Sequence, residues 1–260
     1  MLRRSRELFA DILRQTDLVL LALCAAASLF GVLMVASATR YMHTWRLVAV
    51  QSVALLLGVV LYLVISQIDL SDLCKYWKWI FLVGVAFILL LVTPLGIADN
   101  TGNRAWLDFP FLPVKVQPAE IVKLTLTLVL AKQLVWLKEN RDLSSIPSVL
   151  FLAAHLGVIF VLYYKVSSDM GSALVFLFIF ACMCFVGGVA LRWFLLGGLA
   201  GGLAFWAMWD LNKIPSYMKL RFQVLFDHSL DPQDTGWQQT RSLMALGSGK
   251  LTGQGLFHGT

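Results

Sequence analysis

Seven long apolar runs, separated by short polar segments, dominate the chain. Each approaches the roughly 20 apolar residues that an α-helix needs to cross the hydrocarbon core of a bilayer. The pattern predicts an all-α fold, a polytopic transmembrane helical bundle with about seven spans. We place the spans at Leu18–Ala38, Leu47–Ile68, Trp79–Gly96, Pro118–Leu137, Pro147–Tyr164, Gly171–Ala190 and Trp193–Trp209.

The two ends of the chain differ from the bundle at residues 17–209. Residues 1–16 are a basic tail whose arginines alternate with apolar side chains, a pattern that fits either a short helix on an anionic leaflet or a solvated tail. Residues 210–260 are too polar to span and are expected to form a large extracytoplasmic loop. This loop contains an interfacial segment at Tyr217–Phe226 and a short helix at Trp237–Gly249 that ends at glycines.

The composition agrees with a membrane protein, since 59% of the residues are hydrophobic and only 14% are charged, with a mean hydropathy of +0.77. The net charge of +6 suits contact with anionic lipid and gives no reason to invoke nucleic acid. No Walker, Rossmann, H-E-x-x-H or G-x-S-x-G pattern occurs. The cysteines lie in or beside predicted spans, where they are expected to pack rather than bind metal: Cys24, Cys74, Cys182 and Cys184.

The distribution of basic residues favours a cytoplasmic N-terminus. With that orientation, the basic residues at the inner flanks are Arg3, Arg4, Arg6, Arg14, Lys75, Lys78, Lys132, Lys138, Arg141 and Arg192. Those in the outer loops up to the seventh span are fewer: Arg40, Arg46, Arg104, Lys115 and Lys165. The basic residues after Trp209 would erase this margin, although the rule weakens for long loops and the first span usually dominates.

A cluster of charged side chains lies beside and inside the fourth span: Arg104, Asp108, Lys115, Glu120 and Lys123. A charge near the bilayer core costs about 2.5 to 3.5 kcal/mol on insertion scales, so these groups should pair, face a wet cavity or bind substrate. Pro118 and Glu120 fit the first turn of a helix, and Lys123 lies one turn further, where it can pair with Glu120. The spacing leaves a structural ion pair and a functional site equally open.

Two further residues have both a structural and a functional interpretation. Asp169 precedes the sixth span, where its local sequence favours an N-cap. Arg104 can anchor at headgroup depth beside Trp106. In the functional interpretation, Arg104 and Lys123 offer cationic donors to a phosphate, and nearby carboxylates orient them or accept a proton.

Three segments, in this order along the chain, resemble the SEDS family (shape, elongation, division and sporulation), membrane polymerases of peptidoglycan such as RodA, FtsW and SpoVE. GNRAWLDFPFLPVKVQPAEIVKL is similar to the family's loop and fourth helix. SSDMGSALVFLFIFACMCFVGG resembles its Pro-Asp-Leu-Gly turn and sixth helix, and GWQQTRSLMALGSGKLTGQGLFHGT resembles its large outer loop. The resemblance covers elongation, division and sporulation members alike.

This resemblance implies a multi-pass protein of the bacterial cytoplasmic membrane with about ten spans in the whole protein. It implies a glycosyltransferase that transfers glycan chains from a polyprenyl-diphosphate carrier to lipid II, partnered by a class B penicillin-binding protein, which is a transpeptidase. Carried over residue by residue, it assigns Arg104, Lys123, Glu120 and Asp169 to substrate binding. It names no cofactor and leaves a divalent cation open.

Where the family has Pro-Asp-Leu-Gly, this chain has Ser168-Asp169-Met170-Gly171, and we expect a looser turn here because the proline is absent. Two other classes remain open. A lipid II flippase or other transporter would also place charges between helices, and a non-catalytic scaffold of the cell-wall machinery would tolerate substitution of Arg104 and Lys123.

The resemblance also implies that the catalytic residue is absent. The family's proposed catalytic aspartate follows a Gly-Thr-Gln motif, and the sequence stops at Gly259-Thr260. We therefore expect a C-terminal truncation and predict that residues 1–260 alone are inactive. Incubating them with lipid II and resolving the products on a gel checks this, and processive glycan synthesis would refute the assignment.

Overall fold

The computed structural model describes residues 16–42, 44–98, 103–111, 114–214, 216–224, 226–227 and 235–258. The predicted basic tail lies outside the described residues except for Thr16. Ten α-helices occur in the described part of the chain: α1 (Leu18–Ala38), α2 (Arg46–Ile65), α3 (Leu70–Lys75), α4 (Trp77–Leu90), α5 (Pro118–Asn140), α6 (Ile146–Ser167), α7 (Met170–Gly187), α8 (Leu191–Asp210), α9 (Ser216–Val224) and α10 (Thr235–Gly249).

The prediction of an all-α transmembrane protein is confirmed, with a helix at each of the seven predicted spans. Among the described residues, five helices are long and apolar enough to cross a membrane, namely α1, α2, α6, α7 and α8. α4 is apolar but has only 14 residues, and α5 has 23 residues but carries several charges.

The third predicted span is longer than the helix found there, because α4 ends at Leu90 and not near Gly96. Pro94 has no N–H for a helical bond and restricts the residue before it, so the chain leaves the helix here. The hydroxyl of Thr93 donates to the carbonyl of Leu90 at 2.6 Å and ties the turn to the last turn of α4.

A small antiparallel ladder, which the apolar pattern does not predict, joins α4 to α5. Strand β1 (Gly96–Ile97) pairs with β2 (Trp106–Leu107). Leu107 also bridges to Val116, which comes just before α5. Backbone hydrogen bonds therefore connect the described residues of the polar segment before α5.

One compact unit comprises Asp69–Ala207, and α5 is its most buried helix. The buried residues of α5 recur every three or four positions and contact α4, α6 and α7. In the N-terminal half of α5, Val122 and Leu126 pack in one cluster with Ile88 of α4, Ile159 and Tyr163 of α6 and Phe176 of α7. Deeper along α5, the imidazole Nδ1 of His155 lies 2.9 Å from Gln133 Oε1, so the core of this unit includes one buried polar pair.

The second compact unit comprises residues 1–68 and 208–260. Its α1 and α2 form a helical hairpin. The hydroxyls of Thr16 and Ser66 lie 2.9 Å apart at the open end of the hairpin, where Tyr62 donates to the carbonyl of Asp17 at 3.1 Å. The short helix predicted at Trp237–Gly249 is confirmed as α10, and α9 lies in the segment predicted to be interfacial.

The close approach of α4 and α5 at Gly84 gives a test of the packing. A Cβ at Gly84 would overlap Thr125 Oγ1 and lie 3.2 Å from Thr125 Cβ, whereas a Cβ at Gly157 meets no atom within 4 Å. We expect Gly84→Ala to destabilise the protein by about 1–3 kcal/mol through overpacking and to lower the melting temperature in detergent. Gly157→Ala is the matched control and should melt like the parent, so equal melting of both variants would contradict the packing described here.

Candidate functional site

The N-terminal end of α5 carries the ion pair that the sequence spacing predicts. Lys123 Nζ lies 2.7 Å from Glu120 Oε2 and 2.8 Å from Oε1. Pro118 occupies the first turn, and the Gln117 side chain does not cap the helix, so the first-turn N–H groups favour a negative charge here.

This ion pair is partly exposed, with 31% of the Lys123 side chain and 63% of the Glu120 side chain accessible. An exposed pair of this kind contributes only about 0–1 kcal/mol to stability. An ammonium has three donors, so Lys123 keeps the capacity to bind an anion while Glu120 holds it in place. The pair therefore contributes little to the stability of the fold.

Arg104 has a different environment from the one expected of a phosphate donor. Its Nε donates to the carbonyl of Gly96 at 2.9 Å, and an Nη donates to the carbonyl of Thr93 at 2.8 Å. A side chain at Gly96 would overlap the carbonyl of Leu91 and approach Arg104 Nε to 2.9 Å. The half-buried guanidinium therefore stabilises the turn between α4 and β1 through two hydrogen bonds.

Arg104 and Lys123 lie at the same end of this unit. Arg104 precedes Leu107, and Leu107 pairs with Val116, which is next to Gln117 at the start of α5. Within the described ranges, no hydrogen bond or ion pair joins the Arg104 guanidinium to Glu120 or Lys123. Asp108 and Lys115, the other charges of the predicted cluster, are exposed on the same segment.

Asp169 is the N-cap of α7, as its local sequence predicts. Its Oδ1 accepts from the Ser172 N–H at 3.2 Å. Its Oδ2 accepts from the Ser172 hydroxyl at 2.6 Å and from the buried Tyr163 hydroxyl at 3.1 Å. Gln117 Nε2 lies 3.5 Å from the Ser172 hydroxyl oxygen, so this network brings Asp169 to the start of α5.

Sequence reasoning missed Tyr163, Ser172 and Gln117 as parts of this network. Ser172 lies three residues after the N-cap aspartate, a spacing at which a side chain can join the cap. Tyr163 is an aromatic residue near a helix end, where a buried hydroxyl needs a partner. No sequence signal pairs Gln117 with Ser172, because they are 55 positions apart.

The expectation of a loose turn before α7 is wrong. Ser168 adopts a left-handed conformation, with φ 58° and ψ 16°, and its N–H donates to the carbonyl of Tyr164 as the C-cap of α6. Asp169 then caps α7. The turn is fixed on both sides, in a geometry that proline cannot adopt because its φ is locked near −65°.

No metal centre accompanies this network in the part of the chain that the structure describes, where no group of three or more His, Cys, Asp or Glu side chains could hold an ion. The arrangement is therefore one ammonium and one carboxylate at the start of α5, beside a capped turn at the start of α7. Chemically, it can bind an anionic group at the end of the helical bundle.

The left-handed Ser168 gives a test at this site. Ser168→Pro restores the proline of the resembling family, but it cannot reach φ 58° and removes the N–H bond to Tyr164, so we expect a loss of roughly 3 kcal/mol. Ser168→Gly keeps the bond and relieves the left-handed backbone, so it should melt at or above the parent. Thermal melting in detergent measures both, and a proline variant as stable as the parent would disprove the described turn.

Known proteins resemble this chain along most of its length. The family model described as "Cell cycle protein", which represents FtsW, RodA and SpoVE, matches residues 15–260. The probable peptidoglycan glycosyltransferase FtsW of Saccharophagus degradans is 33% identical over 252 residues, covering 94% of this chain and 62% of that protein. Its counterpart in Nitrosococcus halophilus is 30% identical over 261 residues, covering 93% of this chain and 62% of that protein.

Solved structures agree with the sequence relatives. One, described as "Structural coordination of polymerization and crosslinking by a peptidoglycan synthase complex", has a TM-score of 0.70 and 28% identity, covering 86% of this chain and 63% of that chain. The rod shape determining protein RodA of Thermus thermophilus has a TM-score of 0.54 and 31% identity, covering 71% and 58%.

The chain spans about 62% of the length of these two curated relatives. The family match covers every helix from α1 through α10. The chain is 33% identical to the first of these relatives over 94% of its own length. This multi-pass membrane protein therefore belongs to the FtsW, RodA and SpoVE family, the SEDS proteins.

Proposed function

We propose that this chain is part of a peptidoglycan glycosyltransferase that extends glycan strands from a polyprenyl-diphosphate carrier with lipid II. The observation that carries the proposal is the partly exposed Lys123–Glu120 ion pair at the end of a largely buried helix. The names of the relatives, which are probable peptidoglycan glycosyltransferases, support the same reaction.

Lys123 is the group proposed to bind the diphosphate. Its ammonium lies one turn into α5, at the end of the apolar unit, where a headgroup can reach it while an isoprenoid tail stays in lipid. Glu120 holds the ammonium in position. An ammonium bound to the diphosphate stabilises the negative charge that develops as the leaving group departs.

In the proposed reaction, a sugar hydroxyl oxygen attacks the anomeric carbon that bears the diphosphate. A new glycosidic C–O bond forms and the bond from the anomeric carbon to the diphosphate oxygen breaks, so the diphosphate carries away the bonding electrons. A general base must accept the hydroxyl proton. Lys123 is proposed to act on the leaving group and not as this base.

Arg104 and Asp169 are proposed to hold the segments that adjoin the diphosphate site, without binding the diphosphate themselves. Both side chains are engaged with protein groups: Arg104 binds two carbonyls, and Asp169 accepts from Tyr163 and Ser172. Arg104 holds the turn that leads through β2 to α5, and Asp169 holds the start of α7 beside Gln117. This modifies the residue-wise carry-over. In this proposal Lys123 contacts the diphosphate, Glu120 positions Lys123, and Arg104 and Asp169 hold the neighbouring segments.

The proposal places the α5 N-terminus at the outer face of the bacterial cytoplasmic membrane, with the N-terminus of the chain in the cytoplasm. The excess of basic residues at the inner flanks supports this orientation. A class B penicillin-binding protein is the proposed partner. The relation to a solved peptidoglycan synthase complex that coordinates polymerization and crosslinking supports that pairing.

Substitution of Lys123 tests the diphosphate site. We expect Lys123→Ala to weaken binding of a short-chain lipid II to the purified chain about 10- to 100-fold, the usual effect of losing a hydrogen bond to a charged group. Polymer yield from the full-length protein with its partner should fall in parallel. Lys123→Arg should also be impaired, because a planar fork replaces a point charge.

Lys138→Ala is the matched control, since it removes the same side chain from the opposite end of the same helix. If lipid II binding survived Lys123→Ala but fell with Lys138→Ala, the diphosphate site would have to be reassigned to the C-terminal end of α5. Transfer of lipid II between leaflets without polymer would indicate a transporter. Full cell-wall function in Lys123→Ala cells would indicate a scaffold.

A further inference from the structure

A cavity lies in the other compact unit, at the closed end of the α1–α2 hairpin. Its volume is about 300 Å³, at the lower limit of the roughly 300–1,000 Å³ typical of small-molecule sites. Arg40, Thr39 and Thr44 provide its polar groups, and Ala36, Trp45, Val48 and Phe257 complete its lining.

The hairpin places this cavity at headgroup depth. α1 has 21 residues and α2 has 20, so each is about 30 Å long, the thickness of the hydrocarbon core. The cavity lies where the chain turns between them. Tyr41 and Trp45 are 73% and 77% exposed beside it, as aromatic residues at a membrane interface usually are.

Among the residues that line the cavity, Arg40 carries the one charge, and it is positive. Arg40 and Arg46 lie at the turn, and the sequence contains no Asp or Glu between Asp17 and Asp69, both of which lie at the open end of the hairpin. The C-terminal segment that reaches the cavity, residues 250–258, also contains no acidic residue. The described residues that line the cavity therefore present no carboxylate to an anion.

Arg40 is held in place from one side. An Nη of Arg40 donates to the carbonyl of Phe257 at 3.0 Å, and the Phe257 N–H donates to the Ser37 hydroxyl oxygen at 2.8 Å. These bonds fix the segment around Phe257 against the end of α1. A guanidinium has five donors, so one bond to Phe257 leaves capacity to bind a phosphate through two parallel hydrogen bonds.

The two threonines have different roles. Thr39 donates its hydroxyl proton to the carbonyl of Val35 at 2.7 Å, so it has no proton to offer. The Thr44 hydroxyl oxygen accepts from the Arg46 N–H at 3.3 Å, which leaves its proton for an anionic ligand. Arg40 and Thr44 together form a donor pair at the polar end of an apolar hairpin.

We propose that this cavity binds the phosphate headgroup of an anionic glycerophospholipid, with Arg40 and Thr44 as donors. The acyl chains then run down the exposed apolar faces of α1 and α2, while Trp45 and Phe257 cover the headgroup. This site is independent of Lys123 and of the proposed glycan transfer, since none of its residues belongs to the diphosphate site.

The test is the melting temperature of the purified chain in neutral detergent, titrated with short-chain phosphatidylglycerol or with phosphatidylcholine of the same chain length. We expect a saturable rise with phosphatidylglycerol only, because a ligand that binds the folded state stabilises it. Arg40→Gln should raise the half-saturating concentration about tenfold, as expected for loss of a charged hydrogen bond. Glutamine keeps an N–H donor for the Phe257 carbonyl, so the segment remains attached.

Arg46→Gln is the matched control, because it removes the same charge at the same depth from a side chain that does not line the cavity. It should leave the titration unchanged, and an equal loss in both variants would show that the attraction is nonspecific. Ala36→Leu fills the cavity and keeps Arg40, so it should also abolish saturation, and it replaces Arg40→Gln if that variant fails to fold. A response to inorganic phosphate at the same concentration, or an equal response to phosphatidylcholine, would overturn the lipid assignment.

Discussion

The structure depends on how one charged helix is kept in an apolar bundle. α5 carries Glu120, Lys123, Lys132, Lys138 and Glu139, and a charge at the bilayer centre is costly. The helix meets this constraint by burying its apolar face against α4, α6 and α7. Four of these charges lie near the helix ends, where water or headgroups can solvate them: Glu120 and Lys123 in the first two turns, and Lys138 and Glu139 in the last turn.

This packing also decides what the site can do. Because α5 is fixed along its length, the Lys123–Glu120 pair has a defined position at the end of the bundle, although the pair itself is partly exposed. The neighbouring carboxylate and guanidinium are used differently. Asp169 and Arg104 bind protein groups and hold the segments on which the pair depends. The proposed diphosphate-binding group is thus supported by residues that are themselves fixed, as a preorganised site requires.

The departure from the family pattern at Ser168 shows how a local sequence difference is resolved. Without proline, the turn before α7 is not looser. It takes a left-handed residue, which caps α6, and the following aspartate caps α7. The acid and the glycine of the pattern remain in place, and the backbone reaches them by another route.

Local sequence features alone determined the fold class, seven of the helices and the i,i+3 register of the Lys123–Glu120 pair. These follow from length, helical periodicity and i,i+3 spacing, which are local properties of the chain. Pro94 indicates that α4 ends early, whereas the apolar run continues beyond Pro94 and predicts a longer helix. These two local signals conflict at the end of α4. Only the tertiary structure decided that Arg104 binds the carbonyls of Thr93 and Gly96, that Gln117 meets Ser172, and that Phe257 meets Arg40. Those contacts join positions that are distant in sequence or lie across a turn, and their partners are fixed by packing rather than by any local pattern of residues.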